Sequence, residues 1–199
     1  MGWVVELRKL ILLMAVALLV SCAKHEYPAP LHAIDVTWQH PEADFHLADS
    51  NGKALTLADF RGKVKVVFFG YTHCPEVCPT TLADLSQVMR QLGPDAKNVQ
   101  VIFVTLDPER DTPQVLGKFI PAFDSSFLGL HGDAQATAQA AQSFGVSYQK
   151  QAGKNGSYTL DHSDGTYLIG KEGKPMWMSR YGQRADFLVQ DIKLLLAQK

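Results

Sequence analysis

The apolar and polar positions of this chain predict a mixed α/β domain that begins near residue 41. Residues 66–69 (VVFF) form an unbroken apolar run, typical of a strand that is buried on both faces, and residues 99–106 (VQVIFVTL) resemble it. Between these runs, apolar residues at positions 82, 85, 89 and 92 follow helical spacing. Two strands joined by a helix predict a right-handed parallel βαβ unit.

The flanking segments extend this core in both directions. Alternation at positions 45, 47, 55 and 57 around a Ser-Asn-Gly turn predicts an N-terminal hairpin. Helices are predicted to start at Pro113 and after Asp133, two further hairpins to cover 146–160 and 166–179, and a last helix to cover 184–197. A βαβ unit followed by a hairpin and a helix indicates a thioredoxin-like fold, in which a central mixed sheet with inserted elements is flanked by helices. Ligands of such sheets gather at the carboxyl ends of the parallel strands.

The N-terminus is typical of an export signal. Arg8 and Lys9 precede an eleven-residue apolar run at 10–20, which is shorter than the roughly 20 residues that span a bilayer. The run ends in Leu-Val-Ser-Cys, which is similar to a bacterial lipobox and predicts lipidation of Cys22. We therefore expect a lipoprotein signal peptide (1–21), a tether (22–40) and a thioredoxin-like domain (41–199), held by lipid on the periplasmic side of a membrane.

Charge and cysteine content narrow the possible functions. The 199 residues include 19 Lys and Arg against 20 Asp and Glu, a formal net charge of -1, and no basic stretch favours binding to nucleic acid. An exported chain with three cysteines would leave one unpaired. If Cys22 carries lipid, Cys74 and Cys78 remain as a pair in an oxidising compartment, where a close pair tends to form a disulfide.

Cys74 and Cys78 lie where the first buried strand passes into its helix, and a proline follows each of them. Pro79 suits the first helical position, so Cys78 is expected to be the N-cap. The helix dipole would then favour the thiolate and lower the pKa of Cys78. Three residues separate the two thiols, and this spacing permits either a redox-active disulfide or a clamp on one metal ion.

Three blocks of the sequence resemble the Sco/SenC family of copper proteins. They are GYTHCPEVCP at 70–79, LDPERDTP at 106–113, and DHS at 161–163, a few residues before a Tyr-Leu pair. The resemblance covers about residues 43–199 and implies a membrane-anchored, thioredoxin-like copper chaperone that supplies the binuclear copper centre of cytochrome c oxidase. It implies Cys74, Cys78 and His162 as the copper ligands, and a copper-accepting subunit of that oxidase as the partner.

The chemistry of these residues agrees with that implication. Two soft thiolates select Cu(I), and an imidazole nitrogen suits both Cu(I) and Cu(II). Because ligation needs both thiolates, an oxidised pair must first be reduced, and we expect a thioredoxin-like reductant as a second partner. Weaker candidates surround this set: Asp107 as an orienting group, Asp161 or Asp164 as a hydrogen-bond partner of His162, and His73 as a spare ligand.

Two enzymatic alternatives use the same cysteines. A thiol–disulfide oxidoreductase acting on the cysteines of a copper protein would use Cys74 and Cys78 as its redox-active pair, although thioredoxin-type motifs separate their thiols by two residues. A peroxidase is suggested by Thr80 and Thr81 after Cys78, but peroxiredoxins place Thr or Ser three residues before the reactive cysteine, where this chain has Pro75. The sequence favours a metallochaperone, with the oxidoreductase as the alternative.

Overall fold

A computed structural model describes Trp3, residues 31–174 and residues 176–198. The predicted signal peptide and Cys22 therefore lie outside the described residues, apart from Trp3. Among the described helices, none combines the length and the apolar character needed to cross a membrane. The fold reported below is that of the unit that begins at Leu31.

Ten strands and four α-helices make up the described domain. The strands are β1 (Ile34–Asp35), β2 (Leu47–Asp49), β3 (Ala54–Leu55), β4 (Val64–Gly70), β5 (Val99–Thr105), β6 (Leu128–His131), β7 (Tyr148–Ala152), β8 (Tyr158–His162), β9 (Thr166–Ile169) and β10 (Met176–Ser179). The helices are α1 (Val77–Leu92), α2 (Pro113–Phe119), α3 (Ala134–Ser143) and α4 (Ala185–Ala197). Eight strands form one sheet in the order β1-β10-β9-β4-β5-β6-β2-β3.

The parallel pair β4 and β5 forms the centre of the sheet. The register runs from Val64 opposite Val99 to Gly70 opposite Thr105, so both strands end at the same edge. Every residue of β4 is buried, which confirms the prediction for its apolar run at 66–69. β6 adds a further parallel strand, whereas β9 pairs with β4 in the antiparallel sense. The predicted βαβ unit and mixed sheet are thus confirmed.

Helices and aromatic side chains cover the two faces of this sheet. Helices α1 and α4 pack against each other, and α4 also contacts β4. Phe69 packs against Phe144 and Tyr167, whose ring centroids lie 5.1 and 6.3 Å from its own. Because neighbouring residues of a strand point to opposite faces, Phe68 and Phe69 belong to different layers. The arrangement confirms the thioredoxin-like fold class.

The β7–β8 hairpin stands outside the main sheet. The two strands pair only with each other in the described structure, from Ala152 opposite Tyr158 to Tyr148 opposite His162. All residues of β7 after Tyr148 are exposed, so the hairpin has little apolar surface of its own to bury. An isolated two-stranded hairpin is marginally stable in water, and this one therefore depends on contacts with the rest of the domain.

The last ten residues of the predicted tether pack on the domain. β1 pairs with β10, with Ile34 opposite Met178. The fully buried carboxylate of Asp191 on α4 accepts hydrogen bonds from the backbone N–H groups of His32 and Ala33, at 3.0 and 2.8 Å. A two-residue strand leaves no periodic pattern in the sequence, which is why hydrophobic spacing does not reveal it.

Candidate metal centre

Cys74, Cys78 and His162 converge at the edge where β4 and β5 end. One ligand atom from each lies within 4.8 Å of the other two. The Cys78 sulfur is 3.7 Å from Nε2 of His162, and the Cys78 backbone N–H donates to the Cys74 sulfur at 3.4 Å. Cys78 is fully buried, whereas Cys74 and His162 are partly exposed. The structure thus brings together the three residues that the sequence predicts as ligands.

The imidazole of His162 is oriented as a ligand through Nε2. Its Nδ1 lies 2.7 Å from the carbonyl oxygen of Ser163. A carbonyl can only accept a hydrogen bond, so in the neutral ring Nδ1 carries the proton and Nε2 presents its lone pair towards the Cys78 sulfur. The rings of Tyr71 and Phe68 contact the imidazole edge to face, with centroids 5.9 and 6.4 Å away.

The environment of Cys78 differs from the sequence prediction. Helix α1 begins at Val77 with Glu76 as the N-cap, so Cys78 lies one residue inside the helix and is not its cap. Burial raises the pKa of the Cys78 thiol far above its ordinary value, and a hydrogen bond from the Tyr71 backbone offsets only part of this. The prediction of a lowered pKa was wrong, because desolvation of the fully buried Cys78 thiolate outweighs the helix dipole.

Gly70 provides the space that the Cys78 sulfur occupies. A Cβ atom built at Gly70 would lie 2.7 Å from that sulfur and 3.0 Å from Cε2 of Phe103. Gly70 is the last residue of β4. Its backbone φ is not positive, so the glycine is required here for the close approach of the helix and not for an unusual backbone conformation.

The weaker candidates lie around the three ligand atoms without joining them. His73 is half exposed and contacts Thr72 at 3.1 Å and Asp111 at 3.8 Å. Asp161 and Asp164 line the open cavity beside His162. The hydrogen bond to His162 that the sequence suggested for these aspartates is made by the Ser163 carbonyl. Asp107 is buried and bonds to other side chains near the site.

Sequence reasoning missed three residues that contact the ligand-bearing segments. Asp111 accepts hydrogen bonds from the backbone and hydroxyl of Thr72, two residues before Cys74. Arg110 and Tyr158 connect the 106–113 segment to the strand that carries His162. The only signal for Arg110 and Asp111 in the sequence is the LDPERDTP block, whose spacing does not indicate which segments it contacts, and Tyr158 lies outside that block.

Comparison with known proteins places this chain within a family. The family model described as SCO1/SenC matches residues 37–197. The chain is 39% identical over 145 residues to the human mitochondrial protein SCO2 homolog, a match that covers 71% of this chain and 54% of that protein. The chain thus spans about half the length of this relative.

Two solved structures with similar sequences have the same fold. Bradyrhizobium japonicum ScoI with copper bound is 38% identical, with a TM-score of 0.70, and the match covers 81% of this chain and 98% of that one. The apo Sco1 protein from Thermus thermophilus is 39% identical, with a TM-score of 0.71, covering 88% and 100%. This chain belongs to the SCO1/SenC family.

Proposed function

We propose that this protein is a copper-binding metallochaperone in which Cys74, Cys78 and His162 hold the metal. The observation that carries the proposal is the convergence of two sulfurs and one imidazole nitrogen within 4.8 Å at the edge of the sheet. The solved Bradyrhizobium structure contains copper, and its 38% identity to this chain supports the same cargo. Two soft sulfur ligands and one nitrogen ligand suit Cu(I), and the nitrogen also suits Cu(II).

Release of the ion is proposed to follow from the open side of the site. The cavity beside Cys74 and His162 is in contact with solvent and is lined by both the cysteine loop and β8. Three protein ligands leave a position at which a ligand of an acceptor protein can approach. We infer that the acceptor is a copper-accepting subunit of cytochrome c oxidase, as the resemblance of the three sequence blocks implies.

Copper uptake is proposed to be coupled to the redox state of Cys74 and Cys78. Both residues are free thiols in the described structure. Their sulfurs lie within 4.8 Å, so a small rearrangement would allow a disulfide, and that form would offer no thiolate to the ion. A thioredoxin-like reductant is therefore proposed as a partner in an oxidising compartment.

Membrane attachment is proposed to use lipid on Cys22. The support is the short apolar run that ends in Leu-Val-Ser-Cys. Mass spectrometry of the protein from a membrane fraction should find a chain that starts at Cys22 and carries lipid. An unmodified N-terminus upstream of Cys22 would contradict this part of the proposal.

The central experiment measures copper retention by the reduced protein. The wild type should keep about one copper per chain through a desalting column, and the Cys78→Ala variant should lose it, since a single thiolate remains. The matched control is His73→Ala, which removes an exposed imidazole next to Cys74 and should keep the metal. Transfer is then measured to the metal-free copper-accepting subunit. Loss of copper from the wild type on the column would reject the proposal.

A thiol–disulfide oxidoreductase remains the second candidate, because both cysteines are free and close together. The buried sulfur of Cys78 cannot reach a protein disulfide, and its raised pKa disfavours the attacking thiolate. The partly exposed Cys74 would have to attack, with Cys78 resolving the mixed disulfide. Turnover of a disulfide substrate without copper retention, abolished in Cys74→Ser, would favour this candidate.

A further inference from the structure

The loop of residues 107–112 contains two carboxylates that are almost completely buried. Asp107 and Asp111 are each 1% exposed. A buried carboxylate is costly unless hydrogen bonds or cations compensate its charge, so the groups bonded to these two side chains are fixed in place. The two carboxylates bond to different segments of the protein, and each of those segments carries part of the metal centre.

Asp111 holds the segment that leads to Cys74. Its carboxylate accepts hydrogen bonds from the Thr72 backbone at 2.9 Å, from the Thr72 hydroxyl, and from the Thr105 hydroxyl at 2.6 Å. Thr105 ends β5, so Asp111 ties the start of the cysteine loop to the end of the neighbouring strand. The Cys74 backbone N–H then bonds to the Tyr71 carbonyl at 3.3 Å, which continues the same ordered turn.

Asp107 holds the β7–β8 hairpin through Arg110 and Tyr158. The Tyr158 hydroxyl donates to one carboxylate oxygen of Asp107 at 2.7 Å, and Nε of Arg110 donates to the other. Nη1 of Arg110 also donates to the Tyr158 carbonyl at 2.9 Å. The guanidinium lies 3.6 Å from the centre of the Tyr158 ring, a cation–π distance. Tyr158 begins β8, and His162 ends it.

A second contact extends from Arg110 towards the imidazole. The guanidinium also lies 5.7 Å from the centre of the Tyr71 ring. Nη2 of Arg110 is buried and has no hydrogen-bond partner among the described residues. Tyr71 in turn contacts His162 edge to face. Arg110 therefore contacts Tyr158 at the start of β8 and also Tyr71, the ring against which His162 packs at the end of β8.

We propose that the 107–112 loop positions the two halves of the metal centre separately. Asp111 sets the cysteine half, and the Asp107–Arg110–Tyr158 cluster sets His162 by holding the hairpin. This inference rests on the proposed copper binding. Disruption of the cluster should free the imidazole while leaving the two thiols in place. It should therefore lower the affinity for Cu(II) more than the affinity for Cu(I), because Cu(II) has the greater need for the nitrogen ligand.

The main test uses the double variant Asp107→Asn/Arg110→Met. It removes the ion pair and the guanidinium contacts with Tyr158 and Tyr71 without leaving an unpaired buried charge, which a single Arg110 variant would do. Tyr158→Phe is the milder variant, since it deletes one hydroxyl and keeps the ring. The matched control is Lys150→Met. Its ammonium lies 4.6 Å from the centre of the same Tyr158 ring and pairs with the exposed Glu109, but it makes no contact with Asp107.

The readouts are Cu(I) competition, the Cu(II) absorption spectrum, and hydrogen exchange of the metal-free protein. In the double variant we expect Cu(II) affinity to fall at least about tenfold while Cu(I) affinity stays within about threefold. The β8 amides should exchange faster, and those of β4 and β5 should not. The Asp111→Asn variant should bind both Cu(I) and Cu(II) more weakly, because both ions use the thiols. Lys150→Met should behave as the wild type in all three measurements.

Several results would overturn the inference. These are an unchanged Cu(II) spectrum in the double variant, an equal loss of both ions, or the same change in Lys150→Met. If the wild type itself retains no copper, the proposed function fails, and hydrogen exchange still tests the loop. Unaltered protection of β8 in the double variant would then overturn the positioning role independently of the metal.

Discussion

Replacing Gly70 by alanine should damage the proposed copper site from inside the protein. The new methyl group would lie 2.7 Å from the Cys78 sulfur, 3.0 Å from Phe103 and 3.2 Å from Phe68. Ordinary van der Waals contact begins near 3.4 Å, so the sulfur must retreat by about 0.7 Å. The sulfur cannot move away freely, because its environment is fully buried.

The size of this displacement decides the expected effect. Metal–ligand distances in built sites vary by about 0.2 Å, so a sulfur displaced by about 0.7 Å no longer fits the positions of Cys74 and His162. We expect Cu(I) affinity to fall at least about tenfold, the lower end of what supporting residues of metal sites cost. Overpacking should also lower the free energy of unfolding of the apo protein by about 1–3 kcal/mol.

A control is needed to separate the site effect from overpacking. Gly129→Ala places a methyl group 3.0 Å from Ile120 and 3.4 Å from Leu116, on a strand that β5 separates from β4. Its apo stability should fall to a similar extent while copper binding is unchanged. The assays are Cu(I) competition under reducing conditions and chemical unfolding of both variants. If Gly70→Ala bound Cu(I) like the wild type, the packing of Cys78 against β4 would not determine the site.

Three further predictions follow from the site and the core. The His162→Ala variant should still bind Cu(I) through the remaining thiolate pair but should lose a stable Cu(II) form. Cu(I) competition and Cu(II) absorption spectra would measure this. An intact Cu(II) spectrum would show that His162 is not a ligand. The oxidised Cys74–Cys78 form should take up no Cu(I) until it is reduced, and equal affinity of both forms would place the metal elsewhere. Lys65 is buried with its ammonium bonded to two carbonyls, and desolvation lowers its pKa to about 8 from 10.5. Between these two pH values Lys65 is protonated in the unfolded chain but has lost its proton in the folded chain. The free energy of unfolding should therefore increase as pH rises through this window. Unfolding curves of Lys65→Met should lack this rise, and an identical rise in the variant would contradict the assignment.

The sequence predicts the fold well where one physical signal dominates. The apolar run at 66–69 belongs to a strand that is buried on both faces, and no other short element accommodates such a run as readily. Helix α1 is also predicted by a single signal, because its buried positions repeat at helical spacing. Strand β1 is different: it has two exposed residues, and it is held by Met178 and Trp177 of a strand more than 140 positions away in the sequence.

The sequence predicts which residues form the site, but it does not predict the pKa of Cys78. Cys74, Cys78 and His162 are soft or borderline ligands, and the family-like blocks identify them. The pKa of Cys78 depends on whether its sulfur points to solvent or into the core, a choice made by the missing side chain at Gly70 and by the start of α1. Neither factor can be read from the spacing of the cysteines.

The buried position of Cys78 bears directly on the choice between chaperone and oxidoreductase. The attacking sulfur of a thiol enzyme must be accessible and already a thiolate, and burial denies Cys78 both properties, so only Cys74 could attack. A metal ligand has different requirements, because the bound cation itself supplies the charge that stabilises the thiolate and displaces its proton. The desolvation that makes Cys78 a poor nucleophile also protects its thiol from other reactions. This protection lasts until a soft cation enters through the open side next to Cys74. On this reasoning Cu(I) affinity should fall as the solution is acidified, since protons compete with the ion for the ligand sulfurs. Competition titrations across pH would test this, and a pH-independent affinity would mean that neither cysteine is a ligand.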